Sequence, residues 1–385
     1  MNFAKTVCTA GFAMFTMFFG AGNLVFPLLL GTQTSGNTFS AIIGLTITGV
    51  IMPFLGLIGV ILYDGNHSNF FKGIGKIPAI LLVFCLLAIL GPLGVVPRCI
   101  IVAHGAVTSF YPDLSLGVFS FLFCLLTLVL IWNHDKIVPI MGRILTPFFL
   151  FGILVIIIAG LFFAEGSHLL SDFSSSQAFN IGLTNGYQTM DLLAAFFFST
   201  TIVAYIRANM NSEASPKTLL KLSFAASIIG AGLIATIYIG FVILGAKHSL
   251  TLSEVPAQQM FSIITGHALG PFAVPIVAIT ITLACITTAA ILALLFADFT
   301  NQYLLRFKLG KRQCVIITLV LAFFISLLGF NSLSSWIGAI LQIAYPALIV
   351  LTLTNIANKI WNFSYLNRIA FWMTIIVSTT YFTLK

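Results

Sequence analysis

The apolar positions of this chain do not alternate with polar ones; they run together in long stretches. Residues 148–163 carry no polar side chain at all, so a helix formed there is apolar on every face. A hydrocarbon core of about 30 Å takes roughly 20 apolar helical residues to cross. Stretches of that kind recur at about 6–30, 38–63, 77–103, 116–132, 140–164, 187–206, 219–246, 269–297, 313–330, 333–356 and 366–384. The pattern predicts an all-α integral membrane protein of about 11 transmembrane helices. The alternation over about 10 residues that marks a membrane β-barrel is missing. The longest connections, at 165–186 and 247–268, leave no room for a soluble domain, and Ser174, Ser175 and Ser176 read as solvated loop. Residues 1–385 are therefore read as a single transmembrane domain.

Polar residues inside the spans then change the picture. The first span contains Gly20, Ala21, Gly22 and Asn23, followed by Pro27. Small residues, an amide and an imide together predict a broken helix, with Pro27 in the first turn of a new half-helix starting near Leu24. Its N–H groups and positive dipole end would face the membrane interior, where a carboxylate could dock. The competing reading is close helix packing with a proline kink, against which stands the cost of an unpaired amide in hydrocarbon.

The sixth span opens on the polar run from Asn185 to Asp191 and continues to Ser199, Thr200 and Thr201. Five spans precede it, and the five from the sixth to the tenth follow in the opposite orientation, because five is odd. This pattern predicts two inverted five-helix repeats, 6–164 and 187–356, each with a broken first helix, plus a peripheral helix at 366–384. No residue-level similarity links the halves. In the eighth span, Thr287 and Thr288 offer hydroxyl ligands for a small cation, or else bond back to their own helix.

Composition and charge agree with the membrane reading. Hydrophobic residues make up 59% of the chain and charged residues 7%, with a mean hydropathy of +1.12, which excludes a soluble fold. The net charge of +8 follows topology. With the N-terminus in the cytoplasm, all the Lys and Arg except three fall inside, including Lys72, Lys76, Lys136, Arg143, Arg306 and Arg312. Lys247 and Lys385 fall outside and Arg98 within a span, so the excess reports insertion and not a nucleic-acid partner. The first span has no cleavage site and is not expected to be a signal peptide. The six cysteines show no CxxC spacing, and none of the histidines, His134 among them, has metal-ligand spacing. Arg98 and Asp191 each lie just below the outer end of a span and are expected to face each other as a gate, or to reach the interface separately. Asp298 reads as a solvated end charge. No nucleophile stands with a His and a carboxylate at a plausible spacing, so the chain is not expected to be an enzyme, and no pore motif points to a channel.

At these residues the chain resembles the branched-chain amino acid:cation symporters, the BrnQ-type carriers of bacteria. The resemblance rests on Phe19 to Asn23 with Phe26 and Pro27, and on Gly91 to Leu93 with Pro97 and Arg98. It extends over Asn185 to Tyr187 with Thr189 to Asp191, over Cys285 to Ala289, and over Tyr345 with Pro346. It implies an amino acid/polyamine/organocation-type fold in the bacterial cytoplasmic (inner) membrane, importing leucine, isoleucine and valine by sodium symport. The chain departs from the family at Ser199, where a Gly is usual after the Phe, and in an apparent eleven spans where twelve are usual.

The expected substrate site comprises Gly20, Ala21, Gly22 and Asn23 for the carboxylate, with carbonyls near Phe197, Phe198 and Ser199 for the ammonium. The expected cation site comprises Gly20, Asn23, Thr287 and Thr288, with sodium as a coupling ion and no other cofactor. The bilayer and the small-molecule substrate are the expected partners. Proton coupling, another small neutral amino acid as substrate, and the oligomeric state stay open.

Overall fold

The computed structural model describes residues 3–132, 146–169, 171–208, 216–304, 308–361 and 366–384, and its regular structure there is entirely helical. His134, Lys136, Arg143, Arg306, Lys385 and the predicted start of the fifth span at 140–145 lie outside the described residues.

The first predicted span is two helices, α1 (Phe3–Phe18) and α2 (Ala21–Gln33), bent by 74° at Phe19 and Gly20. The second is α3 (Thr38–Thr46) and α4 (Met52–Ile61), joined by a π-helical turn, Ile47–Ile51. After the short α5 (His67–Phe71) come α6 (Lys76–Leu90), α7 (Val95–Thr108), α8 (Leu116–Trp132) and α9 (Thr146–Phe162). The sixth span is again a pair, α10 (Ser175–Thr189) and α11 (Asp191–Ala208). The long α12 (Pro216–Lys247) leads into a connection that holds α13 (Ser249–Leu252) and α14 (Met260–Leu269). The chain closes with α15 (Ala273–Phe299), α16 (Lys311–Ser326), α17 (Gly329–Trp361) and α18 (Leu366–Thr383).

Among the described residues, six segments are each long and apolar enough to cross a membrane, and the bent pair α1–α2 makes a seventh. Three further apolar helices, Leu116–Trp132, Leu150–Phe162 and Met260–Leu269, are shorter. Outward faces carry large apolar side chains such as Phe121, Phe151, Ile276, Phe324 and Ile369, as lipid contact requires.

The structure departs from the sequence pattern at three places, each with a local cause. Helix α10 occupies much of the stretch read as a loop, and it starts on a capping box. Gln177 N–H donates to Ser174 Oγ at 3.3 Å and Ser174 N–H donates to Gln177 Oε1 at 2.9 Å. The third predicted span is interrupted, since the chain leaves the helix at Gly91 and re-enters it after Gly94. Pro27 sits inside α2, which already begins at Ala21. The imide therefore does not start the half-helix; it withholds the N–H that the Asn23 carbonyl would otherwise accept.

Packing is reciprocal between the two broken spans. Helices α1 and α2 lie on α12, while α10 lies on α3 and α11 on α4. The crossings are backbone-close: a Cβ at Gly182 would stand 2.2 Å from the Ala41 carbonyl oxygen, and one at Gly31 2.0 Å from that of Val242. Only residues without a side chain allow helices to approach this far.

Candidate functional site

Because α1 stops at Phe18 and α2 starts at Ala21, the chain at the first break presents the last carbonyls of one helix and the first N–H groups of the next. Gly20 bridges them in an extended conformation, φ −131° and ψ −166°. The Asn23 side chain folds back onto the break, its Oδ1 accepting from Gly20 N–H at 2.9 Å. Asn23 N–H in turn donates to the Gly20 carbonyl at 3.2 Å. Among the described residues, the N–H groups of Ala21 and Gly22 have no acceptor.

The second break turns on Met190, whose left-handed φ of 59° ends α10 and lets α11 start at Asp191. A carboxylate in the first turn of a helix is favoured by the helix dipole. Here it is also buried: Asp191 is 2% exposed, Asn23 2% and Tyr238 1%. Asn23 Nδ2 donates to Asp191 Oδ1 at 3.0 Å and Oδ2 at 2.9 Å, and to the Tyr238 hydroxyl. Tyr238 Oη donates to Asp191 Oδ2 at 2.6 Å. One carboxylate thus ties α2, α11 and α12 together at the level of both breaks. The next N–H, of Leu192, donates to Tyr345 Oη at 3.2 Å, and that hydroxyl donates to the Thr48 carbonyl in the π-helical turn at 3.3 Å.

Arg98 does not pair with Asp191, which corrects the expected gate. Among the described residues, the ion pair is Lys311–Asp298, at 2.9 Å and half-exposed, in keeping with Asp298 as a solvated end charge. The buried guanidinium instead caps α10, donating to the Gln188 carbonyl at 2.6 Å and to Gln188 Oε1 at 3.1 Å. It lies 4.8 Å from the centroid of the Phe26 ring. Gln188 Nε2 donates onward to the Ser334 carbonyl of α17 at 3.0 Å. Each charge has found a neutral amide, Asp191 that of Asn23 and Arg98 that of Gln188. A cavity of about 660 Å³ opens between α2, α10, α17 and the connection before α14, and Phe26 and Gln188 line it.

A planar fork is needed to reach both Gln188 oxygens. Arg98→Lys is therefore expected to lose one charge-assisted bond, about 1.5–3 kcal/mol, read as a lower melting temperature of the purified protein. An unchanged melting temperature would show that the cap contributes nothing.

The other expected site residues divide. Thr288 stands at the first break, its methyl 3.6 Å from where a Cβ on Gly20 would be. Thr287 donates back to the Ala284 carbonyl of its own helix at 2.8 Å. Phe197, Phe198 and Ser199 are not at a break; they lie inside α11, where the helix ladder takes their carbonyls, and Ser199 Oγ donates to the Phe196 carbonyl at 2.9 Å. The expected ammonium contacts there are thus corrected, because the chain unwinds at Met190 instead. Tyr238, Gln188 and Tyr345 complete the site without having been singled out by sequence for these roles. A tyrosine in an apolar helix, or a glutamine in a polar run, carries no local sign of its partner, although Tyr345 stands within the family resemblance.

The family model described as "Branched-chain amino acid transport protein" matches residues 3–384. The chain belongs to this family. It is 32% identical over 375 residues to a protein of Staphylococcus haemolyticus named "Putative branched-chain amino acid carrier protein", covering 91% of this chain and 81% of that one. A protein of the same name from Staphylococcus saprophyticus is 30% identical over 369 residues, 89% of this chain and 79% of its own. Among solved structures, the fold is similar to Mhp1 in an inward-facing conformation, with a TM-score of 0.65, 14% identity, and coverage of 94% of this chain and 79% of Mhp1. It is also similar to the Eremococcus coleocola manganese transporter, with a TM-score of 0.62, 12% identity, and coverage of 100% and 87%. At these identities the likeness concerns the fold. Family and fold together make this branched-chain amino acid transport protein a multi-pass membrane transporter and not an enzyme.

Proposed function

We propose that this transporter carries leucine, isoleucine and valine inward across the bacterial cytoplasmic membrane together with sodium, its N-terminus on the cytoplasmic side. The observation that carries this reading is the first break. A single 74° bend presents the carbonyl end of α1 and the amide end of α2, complementary to the ammonium and carboxylate of an amino-acid zwitterion. The Ala21 and Gly22 N–H groups take the carboxylate. The carbonyl end of α1 takes the ammonium, in place of Phe197 and Ser199. Phe198, its ring 5.9 Å from that of Phe18, offers an apolar wall for the branched side chain.

Thr288 lies beside Gly20 with its methyl group nearest, and a sodium ion held there would draw on the Thr288 hydroxyl and carbonyls of the break. Reciprocal packing, in which each broken span lies on the second helix of the other half, supports the two inverted repeats. The test is uptake of labelled leucine, isoleucine and valine into proteoliposomes, with and without an inward sodium gradient at fixed pH. Saturable accumulation that collapses when sodium is equal on both sides is expected. Accumulation under a proton gradient alone would replace the ion, and no accumulation under either gradient would remove the reading.

A further inference from the structure

We propose that Asp191, Tyr238 and Asn23 form a binding site for a small monovalent cation, distinct from the Thr287–Thr288 side of the first break, and that Asn23 relays its occupancy to Gly20. The inference deepens the reading of cation-coupled transport and rests on it.

The Asp191 carboxylate is 2% exposed and bonded by side chains of Asn23 and Tyr238, both neutral. Among the described residues it has no ion pair, and Arg98 spends its fork on Gln188. A buried carboxylate without a counter-charge is costly, so its ionised form calls for a positive charge. The groups around it are hard oxygens: the two carboxylate oxygens, Tyr238 Oη and the neighbouring Thr189 hydroxyl. The groups that face it from the packed elements are Asn23 on α2, Tyr238 on α12 and, through the Leu192 N–H, Tyr345 on α17 with Tyr187 of α10 stacked on it at 4.5 Å. None adds a second negative charge. Asn23, Asp191 and Tyr238 do not line the cavity beside Phe26 and Gln188 and are each at most 2% exposed, surroundings that suit a bare ion or a proton and not an amino acid.

The relay follows from the two ends of one amide. Asn23 now aims Nδ2 at the carboxylate and Oδ1 at Gly20 N–H. Sodium seated on Asp191 and Tyr238 repels Nδ2 and attracts Oδ1, and a proton on Asp191 likewise replaces an acceptor with a donor. Either way the amide turns over and releases Gly20 N–H. That N–H then joins those of Ala21 and Gly22 for the substrate carboxylate, so cation occupancy raises substrate affinity.

Asp191→Asn and Tyr238→Phe in the full chain, reconstituted in proteoliposomes, test the site. D191N is permanently neutral and is expected to exchange external for internal leucine while losing gradient-driven accumulation. Y238F keeps the ring and is expected to raise the half-saturating cation concentration by about tenfold, one lost bond to a charged group. Sodium titrated at fixed pH, and pH titrated without sodium, tell which cation moves. Accumulation by D191N at the parent level, or an unaltered cation dependence in Y238F, would overturn the proposal. If D191N fails to fold, Y238F decides. Should the parent chain not transport leucine at all, the transport reading fails separately. The site is then judged by whether sodium or acid raises the melting temperature of the parent more than that of Y238F; equal shifts would overturn it.

Discussion

Replacing Asn23 by alanine is expected to lower leucine uptake roughly hundredfold, with the protein still inserted in the membrane. The side chain makes two kinds of bond at once, to the buried Asp191 carboxylate and to Gly20 N–H. A bond to a charged group contributes about 1.5–3 kcal/mol and an ordinary one about 1 kcal/mol. Because the Gly20 bond is the one the amide releases, the loss rests on the two bonds to the Asp191 oxygens, about 3 kcal/mol or more together, and about 1.4 kcal/mol corresponds to each tenfold. The loss falls on the arrangement of the two breaks and not on the bulk of the bundle. Helix α2 is still packed on α12, and Leu24, Val25 and Leu28 stay buried in the core. Initial uptake rates per folded protein, with folding followed by size-exclusion profile and thermal melting, check this. A rate within threefold of the parent would mean that the tie between the breaks has no part in transport.

The first break was legible because glycines, an amide and a proline within eight residues have no cheap place in hydrocarbon. Its boundary lies three residues before the one that Pro27 suggests, since Gly20, and not the proline, starts the half-helix as N-cap. The second break is legible as a polar run, yet the sequence of α10 before it reads as a loop. Its polar residues are why: Thr184 donates to the Asn180 carbonyl and Asn185 to that of Ile181, so the helix meets its needs internally while facing a cavity and not lipid. The Ser174 and Gln177 capping box was the signal that would have found it. Arg98 and Asp191 are costly buried charges, and their matching depth below the outer ends of two spans, with opposite sign, suggests that they pair. What decides their partners is which amide the tertiary fold brings within 3 Å, and a chain separation of 168 residues between Asn23 and Asp191 leaves no local trace of that.

The reciprocal packing of the broken spans makes a second large effect expected, at Gly182. A Cβ added there would stand 2.2 Å from the Ala41 carbonyl oxygen and 3.0 Å from its carbon, so even alanine forces α10 away from α3. Backbone cannot turn aside as a side-chain tip can, and valine adds two methyl groups to the same collision. Overpacking of a well-filled interior costs about 1–3 kcal/mol when side chains can adjust; here Gly182→Val is expected to exceed about 3 kcal/mol, because two backbones must separate. Separation would also break the Thr48 Oγ1 bond to the Leu183 carbonyl, 2.9 Å, and loosen the turn whose Thr48 carbonyl receives Tyr345 Oη. The expected result is a chain with no sharp melting transition and no monodisperse size-exclusion peak. Gly232→Val is the matched control, since nothing stands within 4 Å of a Cβ at Gly232, and it is expected to melt within a few degrees of the parent. If G182V melted alongside G232V, the close crossing of α3 and α10 would not be holding the second break in place, and the N–H of Leu192 would have to owe its position to Tyr345 alone.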